Sequence, residues 1–248
     1  MHNPFSLYGK TILITGASSG IGRAIAIACS QMKANVIITA RNQQRLQETF
    51  ELLEGEGNIQ IIADLSDINQ LSDLVKKLPK LDGVASNAGI VRTLITQVSE
   101  ANDVSEIFKI NTFAPIHLIQ FLLQNKKLNK NASIVFLSSI SGVYCGAIGG
   151  SLYGSSKAAL DGFSKALALE VASRGIRVNT VNPGMVNTGI FDRTSISQDQ
   201  LEEDVKNYPL KRYGKTSDIA YAVIYLLSDA AEWITGTSLL IDGGFTLK

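Results

Sequence analysis

The sequence is short of the residues that staple or metallate a chain. Its two cysteines, Cys29 and Cys145, cannot build a disulfide framework and form no CxxC. A reducing, cytoplasmic setting is therefore expected. Two histidines, His2 and His117, are too few and too far apart for a His-based zinc site. A surplus of one charge is also lacking. The formal net charge is +1, so no strong field favours DNA, RNA or an anionic membrane, and none of these is expected as a partner. No apolar run is long enough to span a bilayer, and Met1 to Lys10 has neither the apolar segment nor the cleavage pattern of a signal peptide. Internal repeats, low-complexity tracts and linkers are missing as well.

What is present is a regular alternation. Short β-branched runs at Thr11–Thr15, Asn35–Ala40, Ile59–Leu65, Asp82–Ser86, Ser133–Ser138, Arg177–Val181 and Ser238–Asp242 predict seven strands. Helical patterns fall between them, notably Ile21–Lys33, a long helix from about Ala101 to Asn125, and Tyr153–Ser173. The runs are continuously apolar rather than alternating, as in parallel strands buried on both faces. The pattern predicts one α/β domain, a doubly wound seven-stranded parallel sheet with helices on both faces. The polar stretch at about 187–215 breaks the rhythm and is expected to be a small mobile lid.

Two motifs carry chemistry. TGASSGIG at Thr15–Gly22 follows the first strand and opens a helix. Gly16, Gly20 and Gly22 permit a tight turn and close backbone approach, the helix N-terminus offers free N–H groups to a pyrophosphate, and Ser18 and Ser19 add hydroxyl donors. The second strand ends in Arg41-Asn42, with no acid nearby to hold a ribose 2′-hydroxyl. Arg41 would instead pair with a 2′-phosphate, which favours NADP(H) over NAD(H). The second motif is Tyr153-Gly154-Ser155-Ser156-Lys157. Its spacing puts a phenol and an ammonium on one helix face, one turn apart. A close ammonium is expected to lower the phenol's pKa and suit it to acid–base work. Of the seven tyrosines, Tyr153 alone has lysine four residues on. Ser138, Ser139 and Ser141 end the fifth strand, Asn87-Ala88-Gly89 ends the fourth, and Asn111 sits inside the long helix, where asparagine is unfavourable and a buried one needs partners.

Together these residues resemble the short-chain dehydrogenase/reductase family over nearly the whole chain. TGASSGIG is similar to its TGxxxGxG turn, SNAG at Ser86–Gly89 to its NNAG element with the first Asn replaced by Ser, and Tyr153/Lys157 to its YxxxK. The resemblance implies that Gly16, Ser18, Ser19, Gly20, Ile21 and Gly22 hold the dinucleotide, with Arg41, Asn42, Asp64 and Leu65 at its adenosine end and Asn87, Ala88 and Gly89 along it. Pro183, Gly184, Val186 and Thr188 would hold the nicotinamide end. It implies Ser139 as the substrate-orienting serine, Tyr153 as proton donor, Lys157 as partner of Tyr153 and of the nicotinamide ribose, and Asn111 on a water-mediated proton path. The expected reaction moves a hydride between NADP(H) and a carbonyl/alcohol pair.

The C-terminal half, including ITGTSLLIDGG at Ile234–Gly244, resembles the 3-oxoacyl-acyl-carrier-protein reductase branch. There, Lys126, Lys127, Lys130, Arg174 and Arg177 would dock an acidic carrier. The bland reading of the same residues is helix C-terminal cations. The broadly apolar Tyr153–Ser173 helix fits a homotetramer or homodimer contact, or burial within one subunit. A sugar, polyol or hydroxysteroid dehydrogenase and a dinucleotide-binding sensor without turnover are the rival readings.

Overall fold

The computed structural model describes residues 3–188 and 198–247. Its strands are β1 (Thr11–Thr15), β2 (Asn35–Ala40), β3 (Ile59–Ile62), β4 (Leu81–Ser86), β5 (Leu128–Leu137), β6 (Arg177–Pro183), β7 (Val186–Asn187), β8 (Gly214–Lys215) and β9 (Ser238–Ile241). Seven of them form one parallel sheet in the order β3-β2-β1-β4-β5-β6-β9. Connections run outward from the β1/β4 boundary in opposite directions, so a crevice opens beyond the carboxyl ends of those strands.

Successive side chains of each strand feed two cores. Ile12, Ile14, Val36 and Ile38 pack on one face against α1 (Gly20–Gln31), α2 (Gln43–Phe50) and α8 (Thr216–Leu227). Leu13, Ile37, Val84 and Ile134 pack on the other against α3 (Ile68–Lys77), α5 (Ala114–Gln124) and α6 (Ser151–Val171). This two-sided burial is why the strands read as unbroken apolar runs. Each such side chain contributes roughly 1.5–3 kcal/mol.

Four expectations need correction. β3 stops at Ile62 rather than Leu65, because the Asp64 carboxylate turns back to accept Ser66 N–H (2.9 Å) and Oγ–H (2.8 Å). β5 starts at Leu128, with a register irregularity opposite Leu81/Gly83. The long helix is not continuous. It consists of α4 (Ala101–Phe108), a π-helical turn over Lys109–Phe113, and α5. Pro115 in the first turn of α5 cannot donate to the ladder, which breaks its α-helical register at this point. Finally, Tyr208 of the predicted lid is packed, although Pro209, Leu210, Lys211 and Arg212 after it are exposed. The Tyr208 ring is buried against Tyr213 (centroids 5.4 Å apart) and Phe245 (4.9 Å), and Leu210 N–H donates to Gly243 C=O at 3.2 Å. The lid's residues 189–197 lie outside the described residues; α7 (Gln198–Val205) and β8 belong to the rest.

Candidate active site

The glycine turn is seated on the β4 rim by close backbone contact. Gly16 and Gly20 have φ of 65° and 54°, the left-handed region that side chains with a Cβ resist. A Cβ on Gly16 would stand 2.8 Å from Ala88 Cα, and one on Gly22 2.3 Å from Gly16 O. Thr15 Oγ1 accepts from Asn87 N–H (3.0 Å) and Ala88 N–H (3.1 Å), and Asn87 Nδ2 donates back to Thr15 O (3.2 Å). These bonds hold the β1 and β4 ends in one surface. Ser19 caps α1 in extended conformation with no side-chain hydrogen bond, so the first-turn N–H groups are left for an anion. Thr188 faces this turn: its Cβ would be 3.3 Å from a Cβ on Gly20. A cleft of about 310 Å³ lies between them, lined by Gly20, Arg23, Ala24, Ile27, Asn187, Thr188 and Thr216. These features fit a dinucleotide phosphate. Ile21 packs on the core beneath, and the Val186 side chain is buried there too, so it offers backbone to the crevice.

Past β2, Arg41 and Asn42 are exposed. Asn42 Oδ1 accepts from Arg45 N–H at 2.9 Å and caps α2. Glu48, the nearest downstream acid, is engaged by Arg23 at 3.1 Å, whereas Arg41 makes no ion pair among the described residues. Asp64 and Leu65 follow β3 on the same rim, where Ala63 N–H donates to Ala40 O at 3.2 Å.

The residues singled out for chemistry converge beyond β4, β5 and the start of α6. The buried Lys157 ammonium donates to Leu137 O at 2.7 Å. A Cβ on Gly89 would lie 3.2 Å from Lys157 Nζ and 3.0 Å from Asn111 Oδ1, which brings these three residues together. Asn111 sits in the π turn, fully buried. Its amide mimics a strand neighbour: Oδ1 accepts from Ile90 N–H (2.8 Å) and Nδ2 donates to Ile90 O (2.9 Å) and Ser156 Oγ (3.1 Å). Ser156 Oγ in turn donates to Tyr153 O at 2.7 Å. The Ser139 hydroxyl acts on the Tyr153 phenol, opposing the rise in its pKa, and Ser139 Oγ accepts from Ser141 N–H at 3.1 Å. Of the three serines, Ser139 alone acts on the phenol among the described residues; Ser138 faces inward to Asp161.

The electrostatics depart from the sequence expectation. Burial pushes the Tyr153 phenol above its ordinary value, opposed by the Ser139 hydroxyl, and the Lys157 ammonium is not among the causes. Burial brings Lys157 down to about 8. Desolvation is thus the leading cause of both shifts. The phenol stays protonated at neutral pH, the form that donates.

The five basic residues do not form one patch. Lys126, Lys130 and Arg174, with Lys80, line a groove of about 800 Å³. Lys127 instead caps a helix end through Lys76 O (3.1 Å), and Arg177 is buried on Leu226 O (2.7 Å) and Ser228 O (3.2 Å). The groove lies at the amino-terminal rim of the sheet, a full α6 length, about 30 Å, from Tyr153. Thr15 and Asp161 were passed over in the sequence. Thr15 carried a weak signal, a hydroxyl ending the strand before the turn. Among the described residues no group of His, Cys, Asp and Glu could hold a metal, and no helix is long and apolar enough to cross a membrane.

Comparison with known proteins places this geometry in context. A family model described as Enoyl-(Acyl carrier protein) reductase matches residues 16–246. The 3-oxoacyl-[acyl-carrier-protein] reductase of Rickettsia felis is 37% identical over 241 residues, covering 97% of this chain and 98% of its own. That of Thermotoga maritima is 32% identical over 97% of this chain and 99% of its own. Among solved structures, the Pseudomonas aeruginosa RhlG/NADP active-site complex superposes with TM-score 0.91 at 30% identity, covering 99% of this chain and 100% of that one. A double mutant of a Serratia marcescens short-chain dehydrogenase/reductase gives 0.89 at 29% identity, with 98% and 100% covered.

Proposed function

The chain belongs to the short-chain dehydrogenase/reductase family and is a short-chain NAD(P)-dependent oxidoreductase, and from that premise we propose that it reduces the carbonyl of an acyl thioester, a 3-oxoacyl group, with NADP(H) preferred. The observation that carries the reading is the convergence of Ser139, Tyr153, Lys157 and Asn111 at the end of the crevice beside Gly89. Bound in the crevice, the nicotinamide would supply the hydride. Ser139 and Tyr153 hold the substrate oxygen between two hydroxyls, and Tyr153 gives its proton to that oxygen. Lys157 is fixed by Leu137 O beside Gly89, and Asn111 with Ser156 keeps the start of α6 in register. Two hydroxyls aimed at one oxygen suit reduction of C=O rather than of C=C.

NADP(H) preference is supported by the Arg41 guanidinium, which makes no ion pair among the described residues, by the Arg23–Glu48 ion pair, and by a relative of the same fold whose structure is an NADP complex. The exposed Val91, Ile95 and Ile148 suit an acyl chain. They flank the mouth where Leu94 N–H bonds Gly149 O (2.9 Å) and Thr96 Oγ1 bonds Ser151 Oγ (2.7 Å). The relatives named for carrier-protein substrates make a carrier the natural bearer of that chain. A carrier seated at Lys126, Lys130 and Arg174 would serve this chain's own Tyr153 only along the full length of α6, or else the site of a second copy. A homo-oligomer fits α6, where Gly162, Ala166 and the 82%-exposed Leu169 form an uncovered stripe. Residues 187–215 are the substrate lid of this reading.

One assay series tests the reading: NADPH and NADH oxidation with acetoacetyl thioesters, free and carrier-bound, and with sugars and simple ketones. Tyr153→Phe is expected to lower turnover about 100- to 10,000-fold with NADPH binding intact by fluorescence. Comparable turnover in that variant sinks the assigned role. A preference for sugars moves the substrate class to the polyol reading.

A further inference from the structure

Beyond the residues of that reaction, α6 buries a second charged group that none of its steps uses. Asp161 stands one helical turn past Lys157 and is 4% exposed. Its carboxylate accepts from four side chains on three strands: Ser138 Oγ (2.6 Å) from the β5 end, Thr180 Oγ1 (2.9 Å) and Asn182 Nδ2 (3.2 and 3.3 Å) from β6, and Ser238 Oγ (2.5 Å) from β9. No cation lies within ion-pair distance of it among the described residues. A buried anion held by neutral donors alone is a costly way to join a helix to a sheet, since apolar packing would do so at less cost.

The donors show what the arrangement does. Asn182 Nδ2, besides meeting Asp161, donates to Ser139 O at 3.1 Å. Ser138, directly before Ser139, reaches both the Asp161 carboxylate and Lys157 O (3.0 Å). The carboxylate fixes which way the Asn182 amide points, because only the NH₂ end can face it. That orientation in turn clamps the Ser139 main chain. We propose that Asp161 is a positioning residue for Ser139: through Ser138 and Asn182 it sets the Ser139 hydroxyl against Tyr153. The proposal rests on the reaction assigned above. It concerns the geometry of the oxygen-binding pair, not cofactor affinity.

The test uses the full-length enzyme and follows kcat, KM for thioester, NADPH affinity by fluorescence, and Tm. In Asp161→Asn one of the two oxygens that meet Asn182 Nδ2 becomes an NH₂, which loosens the Asn182 amide and with it the hold on Ser139 O. The expected result is kcat lowered roughly 10- to 100-fold, as for a displacement of reacting groups by about an ångström, with NADPH affinity unchanged. Asn182→Ala should lower kcat in the same way, and the double variant should be no worse than either single one. Ser238→Ala removes one donor to the carboxylate but no contact to the Ser138–Ser139 segment, so its kcat loss should be smaller than that of Asn182→Ala whatever it does to Tm. If Asp161→Asn does not fold, the Asn182→Ala and Ser238→Ala pair decides alone. Wild-type kcat in Asp161→Asn, or equal kcat losses in Asn182→Ala and Ser238→Ala, overturns the proposal. Failure of the underlying reaction is separately visible as an active Tyr153→Phe.

Discussion

At the β1–α1 turn the crevice is walled with backbone; at the start of α6 it is walled with buried side chains. The first region relies on missing atoms, since Gly16 and Gly22 leave no room for a Cβ. The second relies on present ones, with Asn111, Lys157 and Asp161 each satisfied by partners distant in sequence. A backbone wall binds what is common to all dinucleotides, whereas a side-chain wall can be tuned to one reaction. The two regions should therefore fail differently when changed.

The sharpest break is Gly22→Ala. Its Cβ would press on Gly16 O at 2.3 Å, and backbone on both sides cannot give way cheaply. We expect loss of NADPH binding together with about 3 kcal/mol of stability, read by fluorescence titration and calorimetry. An active, fully stable variant would show that the turn tolerates displacement.

Lys157→Met comes next and acts through pH. The folded-state value of Lys157 is about 8 against an ordinary 10.5. Below about 8 the ammonium is charged both folded and unfolded, and the fold bears the full cost of burying it. Between the two values the unfolded chain holds the proton and the folded one does not, so stability rises with pH. The wild type should gain about 3 kcal/mol relative to Lys157→Met across that window. Parallel pH–stability curves would mean that the ammonium is not paying this desolvation cost.

Arg41→Asp tests the backbone side where a side chain does intervene. Loss of a charge-assisted phosphate contact is about 1.5–3 kcal/mol, so the NADPH-to-NADH preference should fall roughly 10- to 150-fold. An unchanged kcat/KM ratio would remove Arg41 from the site. The smallest effect is expected at Thr39, whose fully buried hydroxyl is the one buried side-chain polar atom without a partner among the described residues. Thr39→Val should be neutral or stabilising by under about 1 kcal/mol, and a clear drop in Tm would reveal a partner for that hydroxyl.

The same contrast explains what could be read from the sequence. The sheet, the glycine turn and the Tyr153–Lys157 pair are local patterns, carried by apolar runs and fixed spacings. Ser139 was legible only through its distance from Tyr153, and the contacts single it out from Ser138. Asp161 was invisible, because its partners Ser138, Thr180, Asn182 and Ser238 are joined only by the fold. The raised Tyr153 phenol was misjudged because sequence spacing reports the nearby ammonium but not the burial that outweighs it. Arg177 looked like a surface cation for a similar reason: nothing local says that its guanidinium ends the α8 carbonyl row.

The π turn at Lys109–Phe113 has a consequence for how this chain tolerates length changes. An α-helix rotates about 100° per residue, and a π turn inserts one residue more than the α ladder needs. α4 and α5 are thus two gears on one shaft, set out of step by that angle. The offset lets Asn111 point inward between them while Ile107 and Leu118 both stay buried. Removing one residue from Lys109–Phe113 would close the π turn into an α turn and leave both apolar faces in place at the expense of the inward position of Asn111, whereas the same deletion within α4 or α5 would swing an apolar face toward solvent.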